Sequence, residues 1–117
     1  MFLKLKFKTI KNNDVVIFMK GYPEAPQCGF SAIASRLLLD EGVKEIKAVN
    51  VLESDEIREG IKEHTGWKTI PQIFIKQGTL SILNTIDQSE FIGGADIIKE
   101  MYQSGALAEK LKPVVNP

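Results

Sequence analysis

In 117 residues there is one cysteine, one histidine and one tryptophan. A lone cysteine excludes an internal disulfide and a cysteine-rich zinc site, both of which need several sulfurs. Net charge is also missing, since fifteen Lys and Arg offset fifteen Asp and Glu. A generic binder of nucleic acid or of an acidic membrane carries a basic excess, so no nucleic-acid partner and no membrane partner are expected. No apolar run approaches the roughly 18 residues that cross a bilayer. No apolar stretch with a small-residue cleavage site opens the chain, and there are no repeats or low-complexity segments. The remaining composition is ordinary, 44% apolar and 26% charged. It bounds a single soluble, intracellular domain over 1–117, long enough for one core and too short for two.

Hydrophobic patterning orders the elements. Residues 1–13 are ambiguous: Leu3, Phe7 and Ile10 share a helical face, yet Leu3, Leu5 and Phe7 alternate with lysines as in a strand, and the segment could also be the tail of a removed transit sequence. Val15–Met19 is a β-branched apolar run, the signature of a strand buried on both faces. Gly21–Pro26, with Pro23 and Pro26, reads as a loop. Phe30, Ile33, Ala34, Leu37 and Leu38 recur at helical spacing and predict a helix buried on that face, stopped at Gly42. Glu45–Val51 alternates as a second strand. Ser54 is a candidate N-cap for a helix ending near Thr65-Gly66, with Ile57 and Ile61 inward. Ile73–Ile75 and Phe91-Ile92 give two more strands, followed by helical pieces at 95–103 and 106–111. The order β-α-β-α-β-β-α makes the first β-α-β parallel with a right-handed crossover and allows a late hairpin. The expected class is α/β: a four-stranded mixed sheet flanked by helices, the thioredoxin-like fold.

Cys28 falls between the first strand and the first long helix. A sulfur at a helix N-terminus meets unpaired amide N–H groups and the positive end of the helix dipole, which favour the thiolate, and Lys20 adds positive charge. The bland alternative is a buried, inert cysteine. Ser31 stands where a Cys-x-x-Cys motif has its second sulfur, and a hydroxyl cannot resolve a mixed disulfide. Redox chemistry here would borrow its second thiol from outside, and glutathione is the abundant candidate. One thiolate is also too few for an iron–sulfur cluster, which usually takes four, but two chains and two external thiols meet the count.

Four blocks in order carry a resemblance: Phe18-Met19-Lys20-Gly21, Cys28-Gly29-Phe30-Ser31, Trp67-Lys68-Thr69-Ile70-Pro71-Gln72 and Phe91-Ile92-Gly93-Gly94-Ala95-Asp96-Ile97. Over about residues 14 to 112 the chain resembles the monothiol glutaredoxins of the CGFS type. That resemblance implies glutathione as ligand and, in a homodimer, a 2Fe–2S cluster shared through one cysteine per subunit and two glutathiones. It implies delivery of the cluster to recipient or assembly proteins, a monomer without cluster, and weak disulfide reduction. Mitochondria are the usual home of small single-domain members, with cytosol and plastid as alternatives.

Carried over by residue, Cys28 is the reactive thiol and the metal ligand. Lys20, Arg58 and Lys62 match the basic residues around the glycyl carboxylate of glutathione, where charge-assisted bonds hold an anionic end. The alternative for Arg58 and Lys62 is a solvated helix face paired with Glu59 or Glu63. Thr69-Ile70-Pro71 matches a segment whose cis proline exposes the backbone of Ile70 to an extended ligand. Gly94 and Ala95 match the helix start that takes the γ-glutamyl carboxylate, and Asp96 suits the ammonium group, or serves only as an acidic first-turn residue. Trp67 reads as a packing aromatic beside the groove and His64 as exposed. Two departures stand out. Lys68 replaces a proline, either touching the ligand or solvated, and Thr79–Ser89 adds eleven residues at about 78–90 as an extended loop or lengthened hairpin. Three functions follow: a cluster carrier, a glutathione-dependent monothiol oxidoreductase acting on glutathionylated proteins, or an interaction module with a dead site.

Overall fold

The structure, a computed structural model, describes residues 9, 10, 12–76 and 89–115. Six strands are described: β1 Val15–Met19, β2 Gly21–Tyr22, β3 Ala25–Pro26, β4 Lys47–Asn50, β5 Gln72–Lys76 and β6 Ser89–Gly93. The helices are α1 Gly29–Asp40, α2 Asp55–Thr65, α3 Ala95–Ser104 and α4 Ala106–Val115, and a single 3-10 turn, Val51–Glu53, precedes α2. The main sheet has the order β4-β1-β5-β6. β1 pairs parallel with β4 and antiparallel with β5, and β5 pairs antiparallel with β6. This is the expected four-stranded mixed sheet.

Central β1 is buried at every position, as its continuous apolar run predicts. Because successive side chains alternate across a sheet, it serves two cores. Val15, Ile17 and Met19 join Ile73 and Ile75 of β5 with Leu38, Ile98, Leu107 and Leu111 from α1, α3 and α4. Val16 and Phe18 join Phe74, Val49, Val51 and Ile61 of α2 on the other face, with Ile10. Thr9, Ile10 and Asn12 are helical and Ile10 is buried, so the helical reading holds for that part of the N-terminal segment; Leu3, Leu5 and Phe7 lie outside the described residues.

Helix boundaries follow local chemistry. The Ser54 side chain accepts the Ile57 N–H at 3.3 Å and starts α2. Gly66, left-handed at φ 75°, ends it. Three expectations shift. Gly21–Pro26 is not a plain loop: Gly21 and Tyr22 pair with Pro26 and Ala25 in a two-stranded sheet. The Glu45–Val51 strand contracts to Lys47–Asn50, because the Asn50 side chain accepts the Leu52 N–H and turns the chain into the 3-10 turn. Of α1, Phe30 and Ile33 are 62% and 44% exposed, and the buried stripe is Ser31, Ala34, Ser35 and Leu38. Ala34, Leu37 and Leu38 face inward as the spacing predicts, while the apolar stripe overshoots at Phe30 and Ile33 because two serines complete the inward face. Most of the 78–90 insertion lies outside the described residues; at its ends, Lys76 of β5 pairs with Ser89 of β6. No helix among the described residues is long and apolar enough to cross a membrane.

Candidate functional site

Cys28 is the N-cap of α1, with extended backbone at φ −156° and ψ 152°. Its sulfur accepts the Ser31 N–H at 3.4 Å, and Ser31 Oγ lies 3.5 Å away. That same oxygen accepts the backbone N–H of Lys20 at 3.1 Å. A hydroxyl has one hydrogen and two lone pairs, so with one lone pair taken by Lys20 it can accept the S–H of the neutral thiol on the other or donate its hydrogen to the thiolate. Ser31 is fully buried, which denies the hydroxyl a water alternative. Partial burial pushes the Cys28 thiol up, but the Ser31 hydroxyl, the N–H groups of Ser31 and Phe30, and the charge of Lys20 outweigh it, and the thiol sits below its ordinary range. Cys28 is half-buried and unbridged, hence accessible and primed to ionise.

Beside it runs a groove of about 360 Å³ lined by Lys20, Phe30, Arg58, Lys62, Trp67, Lys68, Thr69, Ile70, Pro71, Gly94, Ala95 and Asp96. Every candidate ligand-binding residue read from the sequence is in this lining. Cys28 is not; it adjoins the groove through Phe30, in the first turn of the helix it caps, and through Lys20. Five segments therefore converge: the end of β1, the first turn of α1, α2, the 67–71 loop and the start of α3.

Their local chemistry differs. On α2 the Glu59 carboxylate lies 3.5 Å from Arg58 Nε and 3.8 Å from Lys62 Nζ. The Arg58 contact is Coulombic only, since Nε is shielded from solvent without a hydrogen-bond partner and keeps an unspent donor. Glu59 is two-thirds exposed, so these pairs are weak and displaceable. The Ile70–Pro71 bond is cis. At α3, Gly94 is an N-cap with no side-chain cap bond, so no side chain of its own competes for the first-turn N–H groups. A Cβ at Gly94 would stand 3.1 Å from Trp67 Nε1 and 3.2 Å from the Pro71 carbonyl, so glycine lets the helix end close on the loop. Asp96 is exposed in the first turn.

Trp67 packs edge-on to Phe91 at 5.9 Å while lining the groove, the role expected of it. His64 is exposed and outside the lining. Lys68 is a lining residue, which favours the ligand-facing alternative over plain solvation. Phe30, a core position by its spacing, is instead exposed at the groove, and Ser31, where a second thiol is lacking, is a bonding partner of the Cys28 sulfur. The signal for Ser31 was its position at N3 of the helix that Cys28 caps, where a side chain meets the capping atom. Among the described residues no group of three or more His, Cys, Asp or Glu could hold a metal ion.

A thioredoxin-like sheet that presents one accessible thiol at a helix N-cap, with no second sulfur one turn on, defines a monothiol protein of the thioredoxin class. The sequence profile described as Glutaredoxin matches residues 15–79. The chain is 46% identical over 105 residues to monothiol glutaredoxin-S15, mitochondrial, of Arabidopsis thaliana, covering 90% of this chain and 54% of that protein. It is 47% identical over 105 residues to monothiol glutaredoxin-5, mitochondrial, of Saccharomyces cerevisiae, covering 88% of this chain and 62% of that protein. The chain thus spans a little over half the length of these relatives. The solution structure of reduced poplar apo GrxS14 superposes with a TM-score of 0.73 at 38% identity, covering 94% of this chain and 90% of that one. The chain belongs to the glutaredoxin family, in its monothiol branch.

Proposed function

We propose that the protein is a glutathione-dependent carrier of a 2Fe–2S cluster, held between two copies and passed to recipient or assembly proteins. The observation that carries this reading is one ionisable thiol, Cys28, beside a groove whose lining has four cations and one carboxylate. Glutathione matches that lining end to end. Arg58 and Lys62, with Lys20, take the glycyl carboxylate in place of Glu59. The backbone of Ile70 pairs with the cysteinyl unit as an added strand does. The N–H groups at Gly94 and Ala95 take the γ-glutamyl carboxylate, and Asp96 takes the ammonium group. The tripeptide's sulfur then lies next to Cys28.

Each protomer thereby offers two thiolates, and two protomers supply the four that a two-iron cluster requires. The cluster is cargo: half of its ligands are diffusible and the site is at the surface, so release is built in. Without it the protein is a monomer. Both curated relatives named above are mitochondrial by name, and the mitochondrion is the proposed compartment.

Anaerobic reconstitution with iron, sulfide and glutathione tests the proposal. A coloured species that forms only with glutathione supports the carrier. The same thiol could instead attack the glutathione sulfur of a glutathionylated protein, expelling the protein thiol, and a second glutathione would then release oxidised glutathione and restore Cys28. Colourless protein with rapid turnover of that kind would replace the carrier reading.

A further inference from the structure

Gln72, the first residue of β5, is fully buried on the sheet face toward α2, the face of Phe74 two residues on. A buried primary amide is costly unless its donors and acceptor are satisfied. Here they are. The Gln72 NH2 group donates to the Trp67 carbonyl at 2.8 Å and to the Thr69 carbonyl at 3.3 Å. Its Oε1 is 2.8 Å from the Thr65 hydroxyl. The Thr65 oxygen also accepts the Trp67 N–H at 3.1 Å and lies 3.0 Å from the Ile61 carbonyl, so its one hydrogen is shared between Gln72 and Ile61.

These bonds join the two halves of the groove. Arg58 and Lys62 belong to α2, whose last turn carries Thr65. Trp67 to Pro71 belong to the loop, three of whose backbone groups end on Gln72 or Thr65. The loop has no strand pairing to hold it before β5 begins, and the amide–hydroxyl pair replaces the missing ladder.

We infer that Gln72 and Thr65 are positioning residues for glutathione: together they fix the spacing between the α2 cations that take its carboxylate and the loop backbone that pairs with its cysteinyl unit. The inference rests on the glutathione reading above and goes beyond it in assigning affinity to two side chains outside the groove lining. The groups that act on the Cys28 sulfur come from β1 and α1 instead, namely Lys20, Phe30 and Ser31. Binding and thiol ionisation should therefore separate.

The test compares wild type, Thr65→Val and Thr65→Ser by calorimetric titration with reduced glutathione and by ultraviolet titration of the Cys28 thiolate. Thr65→Val keeps the shape and removes the hydroxyl. It should weaken glutathione binding about fivefold or more, the size of one lost buried hydrogen bond, with an unchanged Cys28 titration. Thr65→Ser should restore binding to within about twofold, because the hydroxyl returns. Wild-type affinity in Thr65→Val overturns the inference, as does a loss of binding matched by a displaced Cys28 titration, which would mean general distortion. If wild type itself binds no glutathione, the functional reading falls and takes this inference with it.

Discussion

At the scale of single residues, the exchange of a sulfur for a hydroxyl at Ser31 redirects the chemistry of Cys28. A second thiol would resolve mixed disulfides; the serine cannot, and its hydroxyl and N–H instead favour the thiolate of the first sulfur, lowering its titration. Ser31→Ala removes the hydroxyl but keeps the N–H contact. Alkylation of Cys28 at neutral pH should then slow by roughly threefold or more, since the thiolate is the nucleophile, and the thiolate titration should move up. The sign for stability follows from linkage. A thiol whose folded value is depressed binds fewer protons folded than unfolded between the two values, so stability rises with pH across that window and is lost as pH falls through the folded value. The cationic pair gives a second residue-level prediction with opposite signs. Lys62→Gln should weaken glutathione binding by about fivefold, whereas Glu59→Gln, which removes the competing carboxylate, should tighten it by about twofold. Both effects should shrink in high salt, and calorimetric titration at two ionic strengths reads them.

At the scale of elements, patterning located the main strands and helices because each helix has one face that must be buried and the central strands are buried on both. It failed where burial is not apolar. Ser31 and Ser35 sit inward on α1, the latter with its hydroxyl 2.9 Å from the Ser31 carbonyl, and a hydropathy pattern cannot tell a satisfied buried serine from an exposed one. Gln72 escaped for the same reason. The loop and helix-start residues of the groove were legible through the ordered motif blocks, and Arg58 and Lys62 only through the family resemblance, since nothing in the periodicity of α2 says that they line a groove with the start of α3. The joint between β6 and α3 is tight. Gly93 has φ +141°, and a Cβ there would stand 2.9 Å from the Ile97 side chain. Gly93→Ala should therefore lower unfolding free energy by about 2 kcal/mol, from a disfavoured backbone conformation plus a clash, as urea denaturation would measure. Gly94→Ala, at ordinary φ, should mainly displace Trp67 and the Pro71 carbonyl.

At the scale of the whole molecule, the zero net charge conceals a local field. Fifteen basic residues balance fifteen acidic ones over the chain, yet Lys20, Arg58, Lys62 and Lys68 line one groove against Asp96 alone. Composition averages over a surface, and only the fold brings these cations together from three segments of the chain. On the proposed reading, that field suits the groove to a small anionic ligand next to the single cysteine. The account depends on that sulfur and the ligand's sulfur acting together across two copies. Native mass measurement of the anaerobically reconstituted protein tests this most directly. The predicted species holds two chains, two glutathiones, two irons and two sulfides, and is lost in Cys28→Ser or when glutathione is withheld. A coloured monomer, or a cluster-bound dimer that assembles without glutathione, would contradict it.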